Sequence, residues 1–175
     1  TISTPWKARP SKALTALNKG GKVINIRKIK KNDIDPLSDL FLSVFNAPPW
    51  SEEWKKEWAY ERLSILFNSY RFYGYLAEMD NVPIAAVLSR LGSYKGELEL
   101  EIMETFVGGE EQRKGIGATV LNELKSHAKE DGISCFVLQT DRNTFAKDFY
   151  LKFFVPSLDD FLTNELWIEE KYFLF

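Results

Sequence analysis

Glu110-Glu111-Gln112-Arg113-Lys114-Gly115-Ile116-Gly117-Ala118-Thr119 is the stretch on which the reading of this chain turns. Before it, residues 97–107 alternate, with Glu97, Glu99, Glu101, Met103 and Thr105 on one face and Leu98, Leu100, Ile102, Glu104 and Phe106 on the other, as a strand does. After it, Ile116, Val120, Leu121, Leu124 and Ala128 recur at helical spacing up to the stop at Asp131-Gly132, and residues 133–138 read as a buried strand. Strand, helix and strand in that order predict a parallel pair joined by a right-handed crossover. The two glycines therefore stand where a strand hands over to a helix and where backbone can approach a ligand with no Cβ in the way. Unpaired amides of the helix's first turn face outward there, and the helix dipole favours an anion by about 0.3–1 kcal/mol. Arg113 and Lys114 add cationic contacts suited to a phosphate.

Two common phosphate turns do not match. A Walker A loop needs Lys and then Ser or Thr directly after its last glycine, but Ala118-Thr119 follows Gly117. A dinucleotide fingerprint needs a third glycine where Val120 stands, and here the turn comes only after several strands.

With the strand before it, Gln112-Arg113-Lys114-Gly115-Ile116-Gly117 resembles the Gln/Arg-x-x-Gly-x-Gly/Ala signature of the GNAT superfamily of acyl-CoA-dependent N-acetyltransferases. Upstream, Phe106-Val107-Gly108-Gly109-Glu110-Glu111 occupies the stretch where the family often has Val-x-Pro, with Gly109 in place of the proline. Downstream, Asn143-Thr144-Phe145-Ala146-Lys147-Asp148-Phe149-Tyr150 is similar to the family's Asn-x-x-Ala-x-x-x-Tyr segment, while Phe153-Phe154 replaces the usual Gly-Phe. Phe45-Asn46-Ala47-Pro48-Pro49-Trp50 is similar to a motif in a bacterial subgroup of uncharacterised GNAT proteins, which supplies no substrate.

The resemblance implies a mixed α/β fold: a mostly antiparallel sheet of about six to seven strands, helices on both faces, and a splayed parallel pair at the cofactor site. It implies acetyl-CoA as the acyl donor and a primary amine of a small molecule or peptide as the acceptor, reacting by direct attack in a ternary complex. Tyr150 then stands at the place of the catalytic tyrosine, as general acid to the CoA thiolate. Glu101 lies at the separation from Gln112 where some members place a catalytic glutamate, with Glu99 and Glu104 behind it as alternatives. A base helps because an amine of pKa near 10.4 costs roughly 4–5 kcal/mol to deprotonate at neutral pH. Backbone of Thr105, Phe106 and Val107 is expected along the pantetheine arm, residues Gln112 to Gly117 around the pyrophosphate, and Asn143 beside the cofactor. A non-catalytic acyl-CoA sensor or an interaction module on the same fold is the alternative, and Glu101 and Tyr150 favour the enzyme.

The bulk of the chain agrees with this reading. Its 175 residues are 45% apolar and 14% aromatic, enough for one globular domain. With 23 basic and 25 acidic residues, no broad cationic surface for nucleic acid or an anionic membrane is expected. The single cysteine, Cys135, forms no internal disulfide and points to a cytoplasmic setting. The single histidine, His127, leaves no histidine–cysteine metal cluster, so no metal is expected, and it is placed on a solvated helix flank. No run approaches a membrane span. Oligomeric state stays open, a homodimer being one option.

Residues 1–22 read as an N-terminal extension or arm with a short amphipathic piece near Ala13 to Leu17, and residues 23–175 as the single domain. A strand at 23–29 leads to a helix capped near Asn32-Asp33, and Pro48-Pro49 ends that helix. A second helix is predicted to open at Ser51. Residues 72–79 and 83–91 form a hairpin around Asp80-Asn81, with Pro83 at an edge or bulge. A helix over 143–152 and a closing strand over 166–175 complete the chain. Trp50, Trp54 and Trp58 recur every four residues as a possible aromatic wall of the acceptor pocket, with core packing as their other role; Trp50 and Trp54 are the candidates.

Overall fold

The computed structural model describes residues 14–17, 21–133, 135–140, 145–154 and 166–169. In chain order the elements are β1 (Leu14–Leu17), β2 (Val23–Lys28), α1 (Ile34–Phe45), α2 (Lys56–Phe67), β3 (Phe72–Met79), β4 (Val82–Tyr94), β5 (Glu97–Val107), α3 (Ile116–Glu130), β6 (Cys135–Gln139), α4 (Phe145–Phe154) and β7 (Leu166–Glu169). The strands form one seven-stranded sheet in sequence order. β1 to β5 pair antiparallel, while β6 runs parallel to β5 and β7 parallel to β6. This is the mixed, mostly antiparallel α/β fold expected from sequence. β1 falls within the stretch read as an arm, where it pairs Leu14 with Ile26 through Leu17 with Val23; residues 1–13 and 18–20 lie outside the described residues.

Local chemistry explains the main joints. Asp80 and Asn81 take φ of 53° and 63°, the left-handed pair that lets a two-residue turn follow the twist of its strands. The β3–β4 register slips between Ala77, opposite Ala85, and Glu78, opposite Pro83. The proline thus sits at a bulge, where its missing N–H costs no ladder bond.

Two apolar cores lie on the two faces of the sheet. α3 and α4 cover one, with Val120, Leu121, Leu124 and Phe154 against Tyr75, Val87, Leu100 and Ile102. α1 and α2 cover the other, with Leu37, Phe41 and Leu63 against Leu76, Leu88 and Phe106.

The regular alternation expected of β5 fails at one residue. Leu88 pairs with Glu104 but Ser89 with Ile102, so Met103 is an extra residue, a bulge. Leu100 and Ile102 face the α3–α4 core, yet Phe106 joins the α1–α2 core and Val107 packs against the α3–α4 core. The bulge has shifted the phase, so Glu101 and Glu104, expected on opposite faces, both project toward α1 and α2.

Two other expectations are corrected. α2 begins at Lys56, not at Ser51; Ser51 has φ 49°, a conformation that no helix contains. Trp50, Trp54 and Trp58 therefore do not share one helical face. His127 is no solvated flank: its side chain is 15% exposed beside Glu123, its Nδ1 lies 3.0 Å from the Glu123 carbonyl, and its ring lies 5.1 Å from that of Tyr75. Among the described residues, no helix is long and apolar enough to cross a membrane, and no group of three or more His, Cys, Asp or Glu is placed to hold a metal.

Candidate active site

The site forms where a ladder stops. Residues Glu99 to Ile102 of β5 pair with Cys135 to Leu138 of β6, and beyond Ile102 β5 pairs only with β4. Gly108 N donates to Ile84 O at 2.9 Å. Because successive residues of a strand turn their polar groups to opposite edges, Phe106 also faces β4, while Thr105 and Val107 present N–H and C=O to the opening beside β6. Gln112 Nε2 donates to the Val107 carbonyl at 3.0 Å, bracing the turn on the strand. The Thr105 hydroxyl is buried.

The turn carries two glycines for two reasons. Gly115 caps α3 at φ 86°, in the left-handed region. Gly117 has no such strain; a Cβ there would stand 3.3 Å from Val107 Cγ2 and 3.5 Å from the Phe149 ring. The first is needed for backbone shape and the second for close packing of β5, α3 and α4. No side chain caps α3, and Thr119 N is bonded to Gly115 O at 3.0 Å. The amides of Ile116, Gly117 and Ala118 thus have no acceptor within the helix.

These parts open on one cleft of about 670 Å³, which Thr105, Phe106, Val107, Gln112, Arg113, Gly115, Ile116 and Gly117 line together with Tyr150 and Trp50. Tyr150 is buried, and burial pushes its phenol up to about 12. The Thr105 hydroxyl acts in the opposite direction and nearby Glu104 adds to the rise. A phenol in that state keeps its proton at neutral pH and can donate it.

A family model, the acetyltransferase (GNAT) family, matches residues 37–154, well over half of the chain. The chain belongs to the GNAT acetyltransferase family. No curated protein matches it by sequence. Solved structures share the fold. An aminoglycoside acetyltransferase from an uncultured soil metagenomic sample, in complex with sisomicin, is 23% identical with a TM-score of 0.62, covering 86% of this chain and 96% of its own. A possible acetyltransferase from Clostridium difficile 630 is 18% identical with a TM-score of 0.64, covering 87% and 95%. A ribosomal-protein-alanine N-acetyltransferase from Brucella melitensis is 17% identical with a TM-score of 0.60, covering 74% and 88%.

On this GNAT frame the remaining candidates separate. Lys114 does not line the cleft; its ammonium lies 3.2 Å from Glu111 Oε2. Glu101 does not line it either, and Arg90 Nε donates to its carboxylate at 2.6 Å. Glu104 is buried against Arg62, whose Nε and Nη2 both lie 2.5 Å from its Oε1. Burial raises the Glu104 carboxyl above the ordinary carboxylate value, and the Arg62 charge holds the rise back. Asn143 lies outside the described residues.

The tryptophans part company as well. Trp50 lines the cleft, its ring 5.8 Å from Phe45 and 6.0 Å from Phe145. Trp54 turns inward, edge-on to Phe41 at 5.0 Å, with Nε1 donating to Glu52. The loop between them is clamped by Asn46, whose side-chain amide bonds both the N–H (2.8 Å) and the C=O (3.0 Å) of Trp54. Sequence reasoning missed that clamp, although an Asn two residues before Pro48-Pro49 is a residue suited to bonding backbone. It also missed Phe145 and Phe149 as cleft residues. The helix over 143–152 was legible, but not the face of it that meets Trp50 and Gly117.

Proposed function

We propose that this protein transfers the acetyl group of acetyl-CoA to a primary amine of a small molecule or peptide, by direct attack in a ternary complex. The observation that carries this reading is the meeting, in one cleft, of the open edge of β5, the uncapped first turn of α3 and the buried phenol of Tyr150. The residues present fit the cofactor. The N–H groups of Thr105 and Val107 suit the amides of a pantetheine arm, and the first-turn amides of α3, with Arg113 beside them, suit a pyrophosphate. Gln112 fixes the distance between these two parts, and Gly117 leaves the surface without a Cβ. Asn143 is retained as a further cofactor contact. Lys114 contributes long-range charge, since Glu111 already holds its ammonium.

Acetyl-CoA supplies the acyl group as a thioester, so a C–N bond forms as the C–S bond breaks. Tyr150 holds the proton that the departing sulfur needs. Glu101 receives the amine's proton through water, because its carboxylate stands off the cleft beside Arg90. Trp50 lines the acceptor side, and Trp54 acts on it indirectly by closing the loop that carries it. Acetyl-CoA titration by calorimetry and release of free CoA thiol in the presence of an amine test the reading. Saturable binding and amine-dependent thiol release are expected; absence of binding overturns it.

A further inference from the structure

The half of the cleft away from the glycine turn is aromatic and without charge among the described residues. Phe45, Pro48, Pro49, Trp50 and Phe145 wall it, whereas the two charged lining residues, Glu111 and Arg113, belong to the turn. Of the carboxylates outside this lining, Glu101 is paired with Arg90 and Glu104 with Arg62. Among the described residues, the lining of this half offers a polycation no carboxylate to replace its lost hydration. The aromatic rings, by contrast, offer faces that attract one ammonium group and bury a planar or branched carbon skeleton.

A second observation points the same way. Phe145, on the first turn of α4, is 56% exposed although its ring reaches Trp50. It contributes little to either core and forms a lip on the cleft opposite the clamped loop. The Asn46 bonds to Trp54, with Ser51 N–H donating to the Ala47 carbonyl and Glu52 N–H to the Phe45 carbonyl, tie the loop that carries Trp50 before any ligand arrives, so the wall is preorganised.

Resting on the acyl-transfer reading above, we infer that the acceptor is a small arylalkyl monoamine, a single amino group on an aromatic body, and not a polyamine or an aminoglycoside. Trp50 and Phe145 are the specificity-determining residues, flanking the aromatic body while the amine points toward Thr105 and Tyr150.

The test compares phenethylamine and tryptamine with spermidine and sisomicin at saturating acetyl-CoA, following thiol release. The arylalkylamines are expected to exceed the polycations at least tenfold in kcat/KM. Trp50→Ala should raise KM for phenethylamine about tenfold with the acetyl-CoA Kd unchanged, and Trp50→Phe should recover most of that loss. Phe145→Ala, a change at a largely exposed position, should raise the same KM several-fold and serves if Trp50→Ala does not fold. Preference for spermidine or sisomicin, or a phenethylamine KM unmoved in the folded variants, overturns the inference. Acetyl-CoA binding without turnover of phenethylamine or tryptamine overturns it too and leaves the acyl-CoA reading standing; failure of acetyl-CoA to bind overturns both.

Discussion

The two halves of β5 differ in what lies on their outer edge. From Glu99 to Ile102 the strand is laddered on both sides, to β4 and to β6, and its backbone groups are consumed by the sheet. From Glu104 to Val107 it is laddered to β4 alone, and the bulge at Met103 separates the two regimes. The first half carries the core of the sheet and the second half is the floor of the cleft. A binding edge inside a sheet thus needs no special side chain, only a neighbour that diverges and a helix whose first turn fills part of the gap.

Changes that close the open half should have the largest effect. Gly117→Val places branched carbon between Val107 and Phe149, and acetyl-CoA affinity should fall by on the order of 100-fold in calorimetric titration. The far-UV circular dichroism spectrum should remain that of the parent. Tyr150→Phe keeps the ring and removes the proton donor; kcat should drop on the order of 100-fold with acetyl-CoA Kd unmoved. A parental kcat would take Tyr150 out of the chemistry.

Changes in the laddered half should be milder. Glu101→Gln is expected to lower kcat/KM about tenfold and to shift the acidic limb of its pH profile; an unchanged limb would leave proximity alone to account for the rate. At the turn, outside both halves of β5, Gly115→Ala forces an L side chain into the left-handed region at a cost of about 1–2 kcal/mol, seen as a Tm lower by several degrees.

Glu104→Gln gives the smallest change and tests the bulge. The Glu104 carboxyl is raised in the folded state, so the fold holds that proton more tightly than the unfolded chain does, and stability falls as pH rises past the ordinary carboxylate value. The variant should therefore lose less stability than the parent between pH 4 and pH 8 in urea titrations. At neutral pH it should lie within about 1 kcal/mol of the parent, because Arg62 is half exposed and tolerates losing its partner. Marked destabilisation at neutral pH would mean that the ion pair outweighs the burial of its carboxylate.

Much of this could be read from residues in order. The glycine turn, the helical stripe of α3, the Asp80-Asn81 hairpin and the bulge at Pro83 all rest on local chemistry, on φ preference, periodicity and missing donors, which neighbours in sequence suffice to specify. The tryptophan wall failed because a four-residue spacing means one face only inside a helix, and α2 starts five residues after Ser51. The opposed placement of Glu101 and Glu104 failed because a single bulge, visible only in the register against β4, shifts the side-chain phase of everything after it.

By itself, the sequence determined the kind of fold, the family resemblance and the position of the turn, since each depends on residues within reach of one another along the chain. Tertiary structure decided which backbone groups of β5 stay open, which tryptophan reaches the cleft and which carboxylates are already held by arginine. Those outcomes depend on contacts between distant segments, Val107 with Gln112 and Gly117, Trp50 with Phe145, Glu104 with Arg62, and so on the packing of whole elements, not on any local preference.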